Sequence, residues 1–233
     1  MSRSAVVTGA GSGVGRAVAV RLARSGWRVA AMARGREALE ATAHAAGQNV
    51  DLLPCDVTDA ASVARAIDRL RETWQGIDAV INAAGTNIPA RALPGLSPDD
   101  FRRVVEVNLI GAFNVTHACL PLMRGHERAT VVMIVSDAGL IGNAKAGASY
   151  VASKFGLTGL TESINAELRA DGIRASAIFP GDIDTPLLEK RPAPPDAAAR
   201  ARMLQPDDVA DCVMLAVDLP HRAVLEKLVV RPR

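Results

Sequence analysis

Apolar positions along the chain follow two alternating patterns. Short, almost uninterrupted apolar runs occupy 5–8, 28–33, 50–54, 79–82, 130–136, 173–179 and 228–230. Between them apolar residues recur three and four apart, as in Ala60, Val63, Ala64, Ile67 and Leu70, the spacing that lays one helical face on a core. Strands that read apolar throughout are covered on both faces. The alternation therefore predicts an α/β doubly wound parallel sheet of about seven strands with helices on both faces. One helix start is sharply marked: Ser97 as N-cap, Pro98 at the first helical position and Asp100 at the third, with the helix expected to run to about Met123. The pattern breaks at 183–204, where Pro192, Pro194, Pro195 and several charges follow the sixth strand. This stretch is read as a substrate lid.

Composition narrows the field. With 233 residues, 49% of them apolar, the chain can bury a large core and is read as a single domain over 1–233. A net charge of +2 with no basic block among aromatics gives no footprint for nucleic acid. No stretch approaches the roughly 18 apolar residues of a membrane span, and the N-terminus lacks a signal-type apolar core, so a cytoplasmic protein is expected. Cys55, Cys119 and Cys212 are odd in number and far apart, which suits reduced thiols; His44, His117, His126 and His221 show no ligand spacing, and no metal is assigned.

The first expected strand is followed by TGAGSGVG. A GxGxxG register fails, because Val14 or Arg16 stands where its last glycine belongs; TGxxxGxG fits, with Gly9, Gly13 and Gly15. Such a loop brings backbone N–H groups up to a pyrophosphate at a helix N-terminus, although a plain tight turn would also use glycine. A strand before it and a helix after it favour the first reading. At the end of the second strand Ala33 stands where an acid would hold the ribose diol of NAD(H), and Arg34 and Arg36 follow. Unless these arginines form only a solvated turn, their forks suit a 2′-phosphate, so NADP(H) is preferred and NAD(H) possible.

Tyr150, the only tyrosine in the chain, precedes Lys154 by four residues in YVASK. On a helix the two share a face, about 40° apart. A neighbouring ammonium and an oxidised nicotinamide ring are both expected to favour the phenolate and bring its pKa towards working pH.

With these motifs the chain closely resembles the short-chain dehydrogenase/reductase superfamily over about Ser4 to Thr185. The resemblance rests on TGAGSGVG, CDV at 55–57, NAAG at 82–85, VNLIGAF with Asn108, SDAG at 136–139, YVASK and PGDIDT at 180–185. It implies a Rossmann-like fold and hydride transfer between nicotinamide and a small or medium carbonyl or secondary alcohol. By resemblance Tyr150 is the general acid/base, Lys154 holds the nicotinamide ribose and acidifies the phenol, Ser136 polarises the carbonyl, and Asn108 holds a water in a relay through Lys154. Asp56 would bond adenine, Asn82 steady the central strands and Thr185 meet the carboxamide. The cofactor set implied is Gly9, Ser12, Gly13, Val14, Gly15, Arg34, Asp56, Val57, Asn82, Ala83, Gly85, Tyr150, Lys154, Pro180, Gly181, Ile183 and Thr185. Taken singly, Asn108 could equally be a satisfied helix amide, Ser136 a turn residue and Asp56 an N-cap.

Some features depart from the family pattern. Ser136 precedes Tyr150 by 14 positions where 13 is usual, and Asp137 holds the usual place; Ser136 is chosen because a carboxylate would repel a developing alkoxide. The ending LEKLVVRPR resembles NADP-dependent reductases that include 3-hydroxy acid dehydrogenases, so a 3-hydroxy acid or 3-oxoacyl thioester is an alternative substrate. The pocket is expected to be mostly apolar, walled by Leu93, Leu140, Ile141, Leu187 and Leu188, with Asn143, Lys145 and Arg91 as polar contacts; Lys145 or Arg91 could pair with a substrate carboxylate, as a 3-hydroxy acid would offer, although a solvated loop charge is the commoner use of such residues. Relatives pair the helices starting near Ser97 and Ala148, which implies a homo-oligomer, dimer or tetramer. A non-catalytic NADP(H)-sensing or scaffold protein on the same fold is the rival reading.

Overall fold

A computed structural model describes residues 2–126 and 128–233. Seven parallel strands form one sheet in the order β3-β2-β1-β4-β5-β6-β7. The strands are β1 Ser4–Thr8, β2 Arg28–Ala33, β3 Val50–Pro54, β4 Ala79–Asn82, β5 Thr130–Ile134, β6 Arg174–Pro180 and β7 Lys227–Val230. Successive residues of a strand face opposite sides, and both sides are apolar here. Val6, Val80 and Val131 belong to one core, and Val7, Ile81 and Val132 to the other.

The first core is closed by α3 Ala60–Arg71, α5 Gly111–Met123 and α6 Ala148–Glu167, through Ile67, Val115 and Leu157. The second is closed by α1 Gly13–Arg24, α2 Arg36–Ala46 and α8 Pro206–Asp218, which follows the one-turn α7 Ala197–Arg200, through Leu22, Leu39 and Val213. Those apolar stripes are the helical spacing of the sequence realised in packing. No helix among the described residues is long and apolar enough to cross a membrane.

Strand order reverses between β1 and β4, so their carboxyl ends open a crevice at a topological switch point, the usual place for a ligand in such sheets. The glycine loop, Ser136, Tyr150 and Lys154 lie at that end.

Two expectations are corrected in detail. The strand expected to reach Ser136 ends at Ile134, because Ser136 caps a short turn by accepting from the Ala138 N–H at 3.2 Å. The single helix expected over 97–123 is α4 Pro98–Val105 and α5, joined by a π-helical turn at Glu106–Ile110. Its start is as read: Ser97 accepts from the Asp100 N–H at 3.1 Å. The widened turn carries Asn108, which is fully buried; an extra residue in a turn re-aims its side chain, and such turns gather at functional sites.

Arg174 is a structural cation that the apolar reading of β6 passed over. It is buried, donates to Thr130 Oγ1 at 2.9 Å and to the carbonyls of Leu219 and Pro220 at 2.9 and 2.8 Å. It thereby fastens the chain between α8 and β7 to the sheet.

Candidate active site

The glycine loop runs from β1 into α1. Gly9 has φ +66°, and a Cβ there would lie 2.8 Å from the Ala83 carbonyl oxygen, so only glycine lets the loop lie against the end of β4. A Cβ on Gly15 would overlap the Gly9 carbonyl. Three side chains that sequence reading missed brace this loop. Thr8 Oγ1 accepts from the Ala83 and Ala84 N–H groups, each at 3.0 Å. Thr42 Oγ1 donates to the Ala10 carbonyl at 2.7 Å, and Arg16 donates to Thr42 and the Gly11 carbonyl. The Ser12 side chain makes no capping bond to α1, and Ser12 lines the crevice on both sides of the loop.

From this loop the crevice extends two ways. Towards β2 and β3 a cleft of about 810 Å³ is lined by Arg34, Asp56 and Val57, with Lys190 and Arg103 across from them. Asp56 Oδ1 accepts from Thr58 N–H at 3.0 Å and Thr58 Oγ1 at 2.8 Å. Those bonds hold the carboxyl below its ordinary pKa, so it stays ionised. The cap of α3 is Asp59.

Towards β5 and β6 a narrower recess of about 180 Å³ is lined by Gly13, Val14, Gly15, Ala83, Gly85, Pro180, Gly181, Ile183, Thr185, Tyr150 and Lys154. Two of the expected residues line neither part. Asn82 lies beneath, donating to Thr116 Oγ1 at 2.9 Å. Asn108 exchanges bonds with the Thr86 backbone at 2.7 and 3.0 Å and donates to Ser153 Oγ at 3.0 Å. Ser153 Oγ in turn donates to the Tyr150 carbonyl at 2.8 Å. Asn108 therefore ties the β4 loop to the first turns of α6, one turn of which carries the phenol.

Tyr150 and Lys154 do share a face of α6: the ammonium lies 5.4 Å from the ring centroid and donates to the Ile134 carbonyl at 2.8 Å. Their acidities run against expectation. Burial pushes the phenol up to about 12, and the Ser136 hydroxyl, Arg91 and Arg191 offset only part of that. Burial pushes the ammonium down to about 7. Both groups resist charging in a poorly solvated site, so the pair does not by itself yield a phenolate.

Beyond Tyr150 a third recess, of about 400 Å³, is lined by Ser136, Tyr150, Asn143, Leu187 and Leu188 together with four cations, Arg91, Lys145, Arg191 and Arg231. This corrects the expected apolar walls. Leu93 and Ile141 are 72% and 61% exposed, and Leu140 packs into the first core. Segment 183–204 borders the recess: Arg200 pairs with Asp184 at 3.5 Å, and Lys190 reaches over to donate to Thr86 Oγ1 at 2.7 Å. Ser136 and Tyr150 line both this recess and the one leading from the glycine loop.

Fold and site together define a class: a doubly wound α/β protein whose glycine-loop crevice ends on a serine, a tyrosine and a lysine. The family model for short chain dehydrogenases matches residues 3–196. An uncharacterized oxidoreductase of Staphylococcus aureus is 31% identical over 98% of this chain and 96% of its own length. A 3-oxoacyl-[acyl-carrier-protein] reductase of Aggregatibacter actinomycetemcomitans is 35% identical over 91% of this chain and 90% of its own. The crystal structure of an alcohol dehydrogenase from Thermococcus sibiricus, complexed with 5-hydroxy-NADP, superposes with a TM-score of 0.86 at 29% identity, covering 100% of this chain and 97% of that one. The chain belongs to the short chain dehydrogenase family and is an oxidoreductase.

Proposed function

We propose that the protein interconverts a carbonyl compound and the corresponding secondary alcohol, using NADP(H) in preference to NAD(H). One observation carries this reading: Ser136 and Tyr150 stand where the dinucleotide-sized crevice and the side recess meet. When bound, the nicotinamide supplies or accepts the hydride. Tyr150 Oη gives a proton to the reacting oxygen, or takes one from it in reverse. Ser136 Oγ donates to that oxygen and orients it, the contribution expected of a preorganised donor. Lys154, anchored on the Ile134 carbonyl, holds the ribose hydroxyls and, when charged, favours the phenolate. Asn108 positions α6 through Ser153. Asp56 would hold the adenine end of the cofactor and Thr185 its carboxamide.

Segment 183–204 would act as the lid, with Lys190 and Arg200 as its ties. Exposed Phe101, Phe113 and Phe155 on α4, α5 and α6 support a homo-oligomer, dimer or tetramer, formed through these helices. Sedimentation velocity is expected to show at least a dimer.

Preference for NADP(H) is supported by like charges at the adenosine end. Burial first, then Arg34 and Arg103, hold the Lys190 ammonium below its ordinary pKa, and a 2′-phosphate would relieve the repulsion among the three cations. Arg34→Ala is expected to weaken NADPH binding about ten-fold or more while NADH affinity moves less than about two-fold, read by fluorescence titration. NADPH oxidation over a panel of ketones, aldehydes and oxo acids tests the activity. A protein that binds NADPH and reduces none of them would be a sensor.

A further inference from the structure

The recess beside Tyr150 holds more positive charge than its own carboxylates neutralise. Arg91, Lys145, Arg191 and Arg231 line it with Asp137 and Asp182. Asp182 is taken by an ion pair with Arg191, and Asp137 accepts from Ser136 Oγ at 3.1 Å. Among the described residues Arg91, Lys145 and Arg231 have no acidic partner.

Arg91 is 6% exposed. Its guanidinium donates to the carbonyls of Ile88 at 2.8 Å and Lys145 at 3.3 Å, and to that of Lys190. Carbonyls orient the fork without neutralising it, and two of its five N–H groups remain. A guanidinium keeps its proton even when buried, so a cation placed this way is stabilised by an incoming anion rather than by deprotonation.

Arg231 reaches the recess for a local reason. The Gly181 N–H donates to the Val230 carbonyl at 2.8 Å, which carries the chain past β7 across the end of β6. A Cβ at 181 would lie 3.0 Å from Pro232 Cδ and 3.5 Å from Arg231 Cγ. Glycine at that position lets the arginine lie along the wall.

We propose that this recess takes carbonyl and alcohol substrates bearing a carboxylate, received by Arg91 and Arg231 while the reacting oxygen faces Ser136 and Tyr150. The proposal rests on the reading of Tyr150 as the proton-transfer group. A recess of about 400 Å³ suits a short oxo or hydroxy acid.

The test uses the NADPH-loaded protein with short-chain oxo acids and their methyl esters, which keep the carbonyl and remove the charge. Acids are expected to exceed their esters about ten-fold or more in kcat/KM, and Arg231→Gln to lower that ratio by a similar factor, mainly through KM. Equal rates for acids and esters, or a variant that slows both alike, would overturn the proposal and leave the oxidoreductase reading standing. Calorimetry on Tyr150→Phe loaded with NADPH separates the two ideas. Acid binding that disappears on esterification, without turnover of any compound by the wild type, supports the anion site and removes the catalytic reading. No saturable binding of any acid at millimolar concentration removes the anion site.

Discussion

Tyr150→Phe is expected to lower kcat by about a thousand-fold or more, the upper part of the range for a positioned proton donor. The variant loses one oxygen and keeps the ring, which lies 5.4 Å from the Lys154 ammonium, so the helix and crevice should be unchanged. NADPH affinity is therefore expected to stay within about three-fold, a shift well under one kcal/mol. Tyr150 is the sole tyrosine, and the neighbouring Ser136 hydroxyl is too weak an acid to replace it. Single-turnover reduction of an active carbonyl compound, paired with a fluorescence titration of NADPH, reads both quantities. Turnover within ten-fold of wild type would remove Tyr150 from the chemistry.

Lys154→Met should show itself without any substrate. The ammonium is 4% exposed and is pushed by burial from its ordinary 10.5 to about 7. Below pH 7 the lysine is protonated in both folded and unfolded chains, and the full cost of burying the charge weighs on the folded state. Between about 7 and 10.5 the unfolded chain holds a proton that the folded one lacks, so stability rises with pH, on the order of one kcal/mol per unit. Tyr150 has the opposite sign: its phenol, raised to about 12, stays protonated in the fold while the unfolded chain ionises above 10, so stability falls there. Cofactor-free wild type is thus expected to gain stability from pH 7 to about 9. The methionine variant should lack that rise and be the more stable of the two below pH 7, as urea midpoints would show. Cys55, Cys119 and Cys212, whose thiols burial holds above their ordinary pKa, contribute alike to both proteins and drop out of the difference. Turnover by the variant should fall about a hundred-fold or more, through loss of the charge beside the phenol. A pH profile identical to wild type would mean that the ammonium is solvated.

These two residues also explain why the pair needs company. Tyr150 and Lys154 could be paired from four-residue spacing, since helical periodicity is local. Their acidities could not, because desolvation depends on what β5 and the β4 loop lay over them. Ile134, the acceptor for Lys154, lies 20 residues away along the chain. Lys154, near 7, carries its charge only part of the time at neutral pH, so it acidifies the phenol only in part.

The cation-lined recess was the least legible feature. Lys145 and Arg91 could be suspected from their closeness to the serine and asparagine motifs, but Arg191 and Arg231 belong to it only because the chain after β6 and the chain after β7 meet there. Leu93 and Ile141, apolar and near in sequence, point to solvent instead. Asn108 was found by motif, but its contacts with Thr86 and Ser153 follow from a π-helical turn that no periodicity announces.

Apolar runs and three-to-four spacing determined the parallel sheet and its helical layers, while the glycines of TGAGSGVG and the four-residue interval from Tyr150 to Lys154 pointed to the turn at the first crossover and to the shared face. All of these depend on steric and packing rules that act over one strand or one helical turn. The tertiary structure alone decided how strongly those groups are charged, which cations border the recess beside Tyr150 and which side chains brace the loop. Desolvation and Coulomb fields are set by neighbours in space, and here the decisive neighbours, Ile134 for Lys154 and Gly181 for Arg231, lie 20 residues away in one case and across a strand pairing in the other.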